Sequence, residues 1–171
     1  AYVKDDYTST DKVFNIYQEG GAQAVLDYMK YRDSVKSAGI ESSSERTQAI
    51  YDNLGDEGLK LYSEAKAQYG DDEKMSAGNL IPFLDSKSLT SSQKGEYMAN
   101  FTTLAKGAQQ FADKGDYAKV YQYYNIKSNA DTDGNGSLKK QELIDYLDGT
   151  GMSTAEKRTW FSILSTAKNP Y

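Results

Sequence analysis

The chain has no cysteine and no histidine among its 171 residues. The first absence removes disulfides, thiolate metal sites and cysteine nucleophiles together. The second removes the commonest general base and the commonest zinc ligand. Proline is scarce, with Pro82 and Pro170 alone. Basic residues are outnumbered: 20 Lys and Arg against 25 Asp and Glu leave a net charge of −5. That balance argues against a nucleic-acid partner, because phosphate neutralisation needs clustered Lys and Arg. No apolar run is long enough to span a membrane, and no signal-peptide pattern opens the chain. The first residue is Ala1 rather than methionine, which points to a processed product or a piece of a longer polypeptide.

What the chain does have is tyrosine, 15 residues of it, arranged with helical period. Ala22, Val25, Leu26 and Met29 follow the i, i+3, i+4, i+7 spacing of one helix face. Thr47, Ile50, Tyr51 and Leu54 do the same, as do Tyr117, Val120, Tyr121 and Tyr124. A longer stripe runs Tyr97, Phe101, Leu104, Ala108, Phe111. Tyrosines at this spacing pack in or at the edge of a core, with the hydroxyl reaching outward. No sustained alternation argues for a sheet, so the expected class is all-α. Ser42-x-x-Glu45, Thr90-x-x-Gln93 and Ser153-x-x-Glu156 read as capping boxes that start helices. Gly39, Gly55 and Gly70 stand where helices end. The expected division is an amino-terminal helical region over 1–55 and a second region over 56–171, at a length that allows one or two small domains.

One segment names a chemistry. Residues 131–142 read Asp-Thr-Asp-Gly-Asn-Gly-Ser-Leu-Lys-Lys-Gln-Glu. Asp131, Asp133 and Asn135 fall at loop positions one, three and five, Ser137 at seven offers a backbone carbonyl, and Glu142 at twelve closes the set with two carboxylate oxygens. Gly136 at six supplies the sharp turn with positive φ, and Leu138 at eight is the apolar residue aimed at a core. Ca²⁺ is a hard cation that takes roughly six to eight oxygens, and this segment presents them in one stretch. A polar surface turn would also use Asp, Asn and Gly, but it has no need of a glutamate at position twelve. Lys139 at position nine cannot ligate. With Lys140 it lowers the expected affinity of a site that carries only Asp131, Asp133 and Glu142 as formal charges.

The sequence also repeats itself. Leu80-Ile81-Pro82-Phe83-Leu84-Asp85 aligns with Leu143-Ile144-Asp145-Tyr146-Leu147-Asp148. In the same register Leu89-Thr90 meets Met152-Ser153, Gln93-Lys94 meets Glu156-Lys157, and Tyr97-Met98 meets Trp160-Phe161. A weaker copy starts at Val25-Leu26-Asp27-Tyr28-Met29. Carried backward, the register sets residues 68–79 opposite the 131–142 loop, with Met75 facing Leu138. Gln68, Gly70, Asp72, Glu73 and Asn79 replace the donors and the glycine. The segment reads either as a degenerate loop that kept its packing and lost its metal, or as an unrelated acidic loop around Asp71, Asp72 and Glu73. Pro82 belongs in the first turn of a helix, which sets the expected start of the following helix near Asn79.

The loop and the helix after it resemble the EF-hand superfamily, with Leu143, Tyr146 and Leu147 at the apolar positions that follow the loop there. The resemblance implies helix–loop–helix repeats packed as a bundle, with one intact and one degenerate calcium loop. Lys127 and Ala130 depart from it, standing where large apolar residues are usual, and Ser128-Asn129 interrupt the tyrosine helix. The entering helix is therefore expected to end early. Residues 131–137, 143–147, 152–157, 160–161 and 169–171 are also similar to EF-hand-like modules in large structural proteins of phages and prophages of Gram-positive bacteria. That likeness implies a protein partner, or the remainder of a larger polypeptide, and a virion-associated location; without it the location is cytoplasmic.

Three functions are consistent with these residues. The first is a calcium-binding helical module with a structural or assembly role. The second is a calcium sensor that opens an apolar groove for a partner helix; such grooves favour methionine, and the methionines here are scattered at 29, 75, 98 and 152. The third is an enzyme built on an acidic pair such as Asp5/Asp6 or Asp71/Asp72. No spacing or pocket singles these pairs out, so the chain is expected not to be an enzyme.

Overall fold

The structure, a computed structural model, describes residues 10–70 and 75–165, all of it helix, turn or loop with no strand among the described residues. Asp5, Asp6, Asp71, Asp72, Glu73 and the Asn169-Pro170-Tyr171 ending lie outside them. Eight helices are described: α1 (Thr10–Ser37), α2 (Glu45–Tyr69), α3 (Ala77–Asp85), α4 (Ser91–Phe101), α5 (Lys106–Asp113), α6 (Tyr117–Ala130), α7 (Lys140–Asp148) and α8 (Thr154–Ser165). The chain divides into two compact units, Ala1–Gln68 and Tyr69–Tyr171. The division falls late in α2 rather than at 55/56. Gly55 does break the helix, at φ 68 and ψ −158, but the chain resumes helical geometry at once.

In the first unit α1 carries a similar break at Gly21, with φ 74 and ψ −166. The stripe from Ala22 to Met29 is helical, yet Leu26 and Met29 are exposed. The buried face of α1 lies further on, at Tyr31 and Val35. Tyr31 decides this, because its hydroxyl meets the Thr47 hydroxyl at 2.9 Å and its ring meets Tyr51 edge-on at 5.3 Å. The start of α2 is capped two residues later than the sequence suggests. Thr47 N donates to Ser44 Oγ at 3.2 Å, and Ser44 N donates to Thr47 Oγ1 at 2.7 Å. A hydroxyl at position 47 thus does the work expected of Glu45.

In the second unit α6 packs against each of α3, α4, α5, α7 and α8. It does so with one broad buried face, Val120, Tyr123, Tyr124, Ile126, Lys127 and Ala130, flanked by half-buried Tyr121, Gln122 and Asn125. Ser128 and Asn129 occupy the exposed remainder, and Asn129 Nδ2 donates back to the Asn125 carbonyl at 2.7 Å. The helix therefore does not end early; it runs unbroken to Ala130, directly before Asp131. Lys127 substitutes for an apolar residue by burying its methylene stem, with Nζ 5.2 Å from the Tyr123 ring centroid. Helices α4 and α6 approach closely at Gly95, where an added Cβ would run into the carbonyl of Tyr117 at the start of α6.

The repeat is visible as geometry. Two nine-residue helices, α3 and α7, are each followed by a capped longer helix. Gln93 N donates to Thr90 Oγ1 at 3.1 Å and Thr90 N to Gln93 Oε1 at 2.9 Å. Glu156 N donates to Ser153 Oγ at 3.2 Å, with the return bond from Ser153 N to Glu156 Oε1 at 3.4 Å. Asp85 pairs with Lys94 at 2.9 Å, and in the second copy Asp148 pairs with Lys157 at 3.5 Å. The stripe from Tyr97 to Phe111 is split between two helices. Thr102 is extended, and its Oγ1 donates to the Met75 carbonyl at 2.9 Å. The Tyr124 hydroxyl accepts from Ala105 N at 2.7 Å, which ties the residue before α5 to α6.

Two expectations around the 68–79 segment change. Helix α3 starts at Ala77 rather than near Asn79, because Ser76 is a working N-cap whose side chain accepts from Asn79 N at 3.2 Å. Pro82 is consequently inside the helix rather than in its first turn, and the residue four positions before it is Gly78. Met75 is buried and Leu138 half-buried, but no strand pairing joins them among the described residues.

Candidate metal centre

The 131–142 segment leaves the carboxyl end of α6 and enters α7. Asp131 is the residue after the last turn of α6, and its N–H donates to the Lys127 carbonyl at 3.2 Å. Two glycines then turn the chain with positive φ, Gly134 at 66 and Gly136 at 78. Positive φ at position 136 is what the sequence called for, since a Cβ disfavours that conformation. Side chains fold inward onto the backbone of this turn. Gly136 N donates to Asp131 Oδ2 at 2.8 Å, Asn135 N to Asp133 Oδ1 at 3.2 Å, and Ser137 N to Asn135 Oδ1 at 2.8 Å. Glu142, in the first turn of α7, reaches back so that Thr132 N donates to its Oε2 at 3.2 Å.

These bonds gather the acidic residues. Asp131, Asp133 and Glu142 each offer a carboxylate oxygen, and the three oxygens lie within 4.8 Å of one another. Like charges this close repel unless a cation joins them. Asp131 Oδ1 is sealed from solvent and has no hydrogen-bond partner. A buried carboxylate oxygen without a donor is costly, and a bound cation would supply the missing partner. The three carboxylates can therefore hold a metal ion. Asn135 and Ser137 belong to the same turn through their hydrogen bonds, and Asn135 Nδ2 also donates to Asp133 Oδ2 at 2.9 Å. Asp133 is exposed and pairs with Lys139 Nζ at 3.6 Å. The Asn135 N–H, with help from the Lys139 ammonium, holds the Asp133 carboxyl below its ordinary range.

Beside the segment is a polar cleft of ≈ 430 Å³. Asp131, Gly134 and Gly136 form one wall, with Ser76, Gly78 and Asn79 from the start of α3 on another. The register between the two repeats anticipates that neighbourhood, since it set residues 68–79 opposite the loop. The presence of Ser128 in the lining had no signal in the sequence. Neither did the Lys139–Asp133 pair, because residue type alone does not say where a long cation will fold.

No protein-family model, no curated protein and no solved structure matches the chain. No helix among the described residues is long and apolar enough to cross a membrane.

Proposed function

We propose that the chain is a calcium-stabilised helical module with a structural or assembly role, built around an EF-hand-like loop. The observation that carries this reading is the convergence of Asp131, Asp133 and Glu142 around a sealed, partnerless Asp131 Oδ1. Asp131, Asp133 and Glu142 would hold the ion with carboxylate oxygens, Asn135 with its amide oxygen and Ser137 with its backbone carbonyl. An all-oxygen donor set with no histidine or cysteine in the chain suits a hard cation, and Ca²⁺ above Zn²⁺ or copper. The ion supplies positive charge that links the end of α6 to the start of α7. Because the unfolded chain has no preformed site, its binding free energy becomes folding free energy. We read the module as non-enzymatic, because no residue spacing in the sequence sets out a catalytic pair.

The assembly role rests on the likeness of the last quarter of the chain to modules of large phage and prophage structural proteins. A partner-binding sensor is the weaker reading. Met75 and Met98 are fully buried in the second unit, so they offer no adaptable methionine surface there. Differential scanning calorimetry with millimolar Ca²⁺ and again with EGTA tests the proposal. The expected result is a midpoint several degrees higher with Ca²⁺, since a ligand at about 100 times its Kd adds about 2.7 kcal/mol. Identical midpoints would remove it.

A further inference from the structure

Lys139 stands at loop position nine, a liganding position that its side chain cannot fill, yet it is not turned away. Its Nζ lies 3.6 Å from Asp133 Oδ2, on a carboxylate that also belongs to the metal-holding cluster. The ammonium is a cation on a tether, already seated against one of the three acids. Its neighbour Lys140 opens α7 and forms no ion pair with Asp131, Asp133 or Glu142 among the described residues. The two lysines carry the same charge at adjacent positions and differ in where that charge is placed.

We infer that Lys139 is an internal competitor for the metal, a tethered ammonium that occupies Asp133 until a divalent ion displaces it; this rests on the calcium reading above. In the ion-free chain Lys139 neutralises part of the repulsion among Asp131, Asp133 and Glu142, and so helps keep the loop in its folded form. Asp131 Oδ1 stays sealed and partnerless even so, which leaves the incoming divalent ion an oxygen that the ammonium does not serve. Binding then exchanges one cation for another at Asp133. The cost of that exchange sets the ion concentration at which the loop fills. Exposed ion pairs are weak and sensitive to salt, so Lys139 moves the threshold without closing the site.

The experiment is Ca²⁺ titration by calorimetry of the wild-type chain, Lys139→Gln and Lys140→Gln, each in about 20 mM and about 500 mM KCl. Both variants remove one positive charge, so a general field effect moves them equally. Competition predicts that at low salt Lys139→Gln binds Ca²⁺ about three- to tenfold more tightly than wild type, while Lys140→Gln stays within about twofold. It also predicts that the gap between Lys139→Gln and wild type narrows at high salt. Equal effects of the two substitutions, or none from Lys139→Gln on a wild-type chain that binds Ca²⁺, would overturn the inference and leave the calcium reading standing. Absence of binding in all three proteins would remove the calcium reading, and this inference with it. Both lysines are exposed, and unchanged helical circular dichroism in the variants confirms that the loop alone has been altered.

Discussion

Asp131 has two oxygens in two different circumstances. Oδ2 is bound by the Gly136 N–H, while Oδ1 is buried and unserved. Glu142 has a parallel split, since only its Oε2 is used, by Thr132. Replacing Glu142 by Gln removes a negative charge while keeping the shape and an acceptor oxygen. It should weaken Ca²⁺ binding about tenfold or more in a calorimetric titration while leaving the helix content of the ion-free chain unchanged. Lys127 provides a second test at the same scale. It is almost wholly buried in α6, and burial lowers its pKa to about 8 from the ordinary lysine value of 10.5. The folded chain therefore disfavours the ammonium, fully below about pH 8 and progressively less as pH rises toward 10.5. Tyr123 works in the opposite direction above that window, because burial raises its hydroxyl to about 12. The unfolded tyrosine ionises from about pH 10, and stability falls from there. Urea midpoints should rise between pH 8 and about 10 and decline beyond. Lys127→Met should flatten the rise and add roughly 1–3 kcal/mol at pH 7. An unchanged pH profile in that variant would refute the assignment.

At the scale of single helices, the caps and one close approach are the informative features. The box at the start of α2 is made by Ser44 and Thr47, not by Ser42 and Glu45. Ser44→Ala should cost about 1 kcal/mol in denaturant unfolding, and Ser42→Ala close to nothing. The reverse order would show that the Ser42 box forms instead. Gly95→Ala should cost roughly 3 kcal/mol, because its methyl would press on the backbone carbonyl of Tyr117, which cannot swing aside as a flexible side chain can. The helices themselves were legible in advance, because residue spacing reports period. The glycine stops at 39, 55 and 70 were legible too, and all three have positive φ. The buried face of α1 was not. Ala22, Val25, Leu26 and Met29 have the right spacing, yet Tyr31 found a better set of partners in Thr47 and Tyr51. The start of α3 was missed for a related reason, since Pro82 was weighed and the Ser76 cap was not.

Over the whole molecule the sequence repeat proves the most dependable guide. Aligning Leu80 with Leu143 anticipates two short helices, each followed by a capped helix, and both occur; the Asp85–Lys94 and Asp148–Lys157 pairs extend the match beyond what the alignment foresaw. It succeeds because a repeat constrains many residues at once, whereas a single stripe constrains four or five. The same register brings the start of α3 beside the 131–142 loop, though with Met75 and Leu138 unpaired by any strand. Loop spacing also anticipated the acid cluster, since Asp131, Asp133 and Glu142 converge as their positions require. The boundary between the compact units was not legible. Gly55 does end one helical run, but the helix that resumes directly after it carries α2 on to Tyr69, where the division falls instead. The central claim is that the 131–142 loop closes on Ca²⁺, and the Gly136 amide is its most direct reporter. That N–H already donates to Asp131 Oδ2 at 2.8 Å, so an ion bound by the same carboxylate must repolarise it. In a ¹⁵N-correlated NMR titration the Gly136 resonance should move strongly downfield and saturate at one equivalent of Ca²⁺; a resonance that stays in place through millimolar Ca²⁺ would contradict the account.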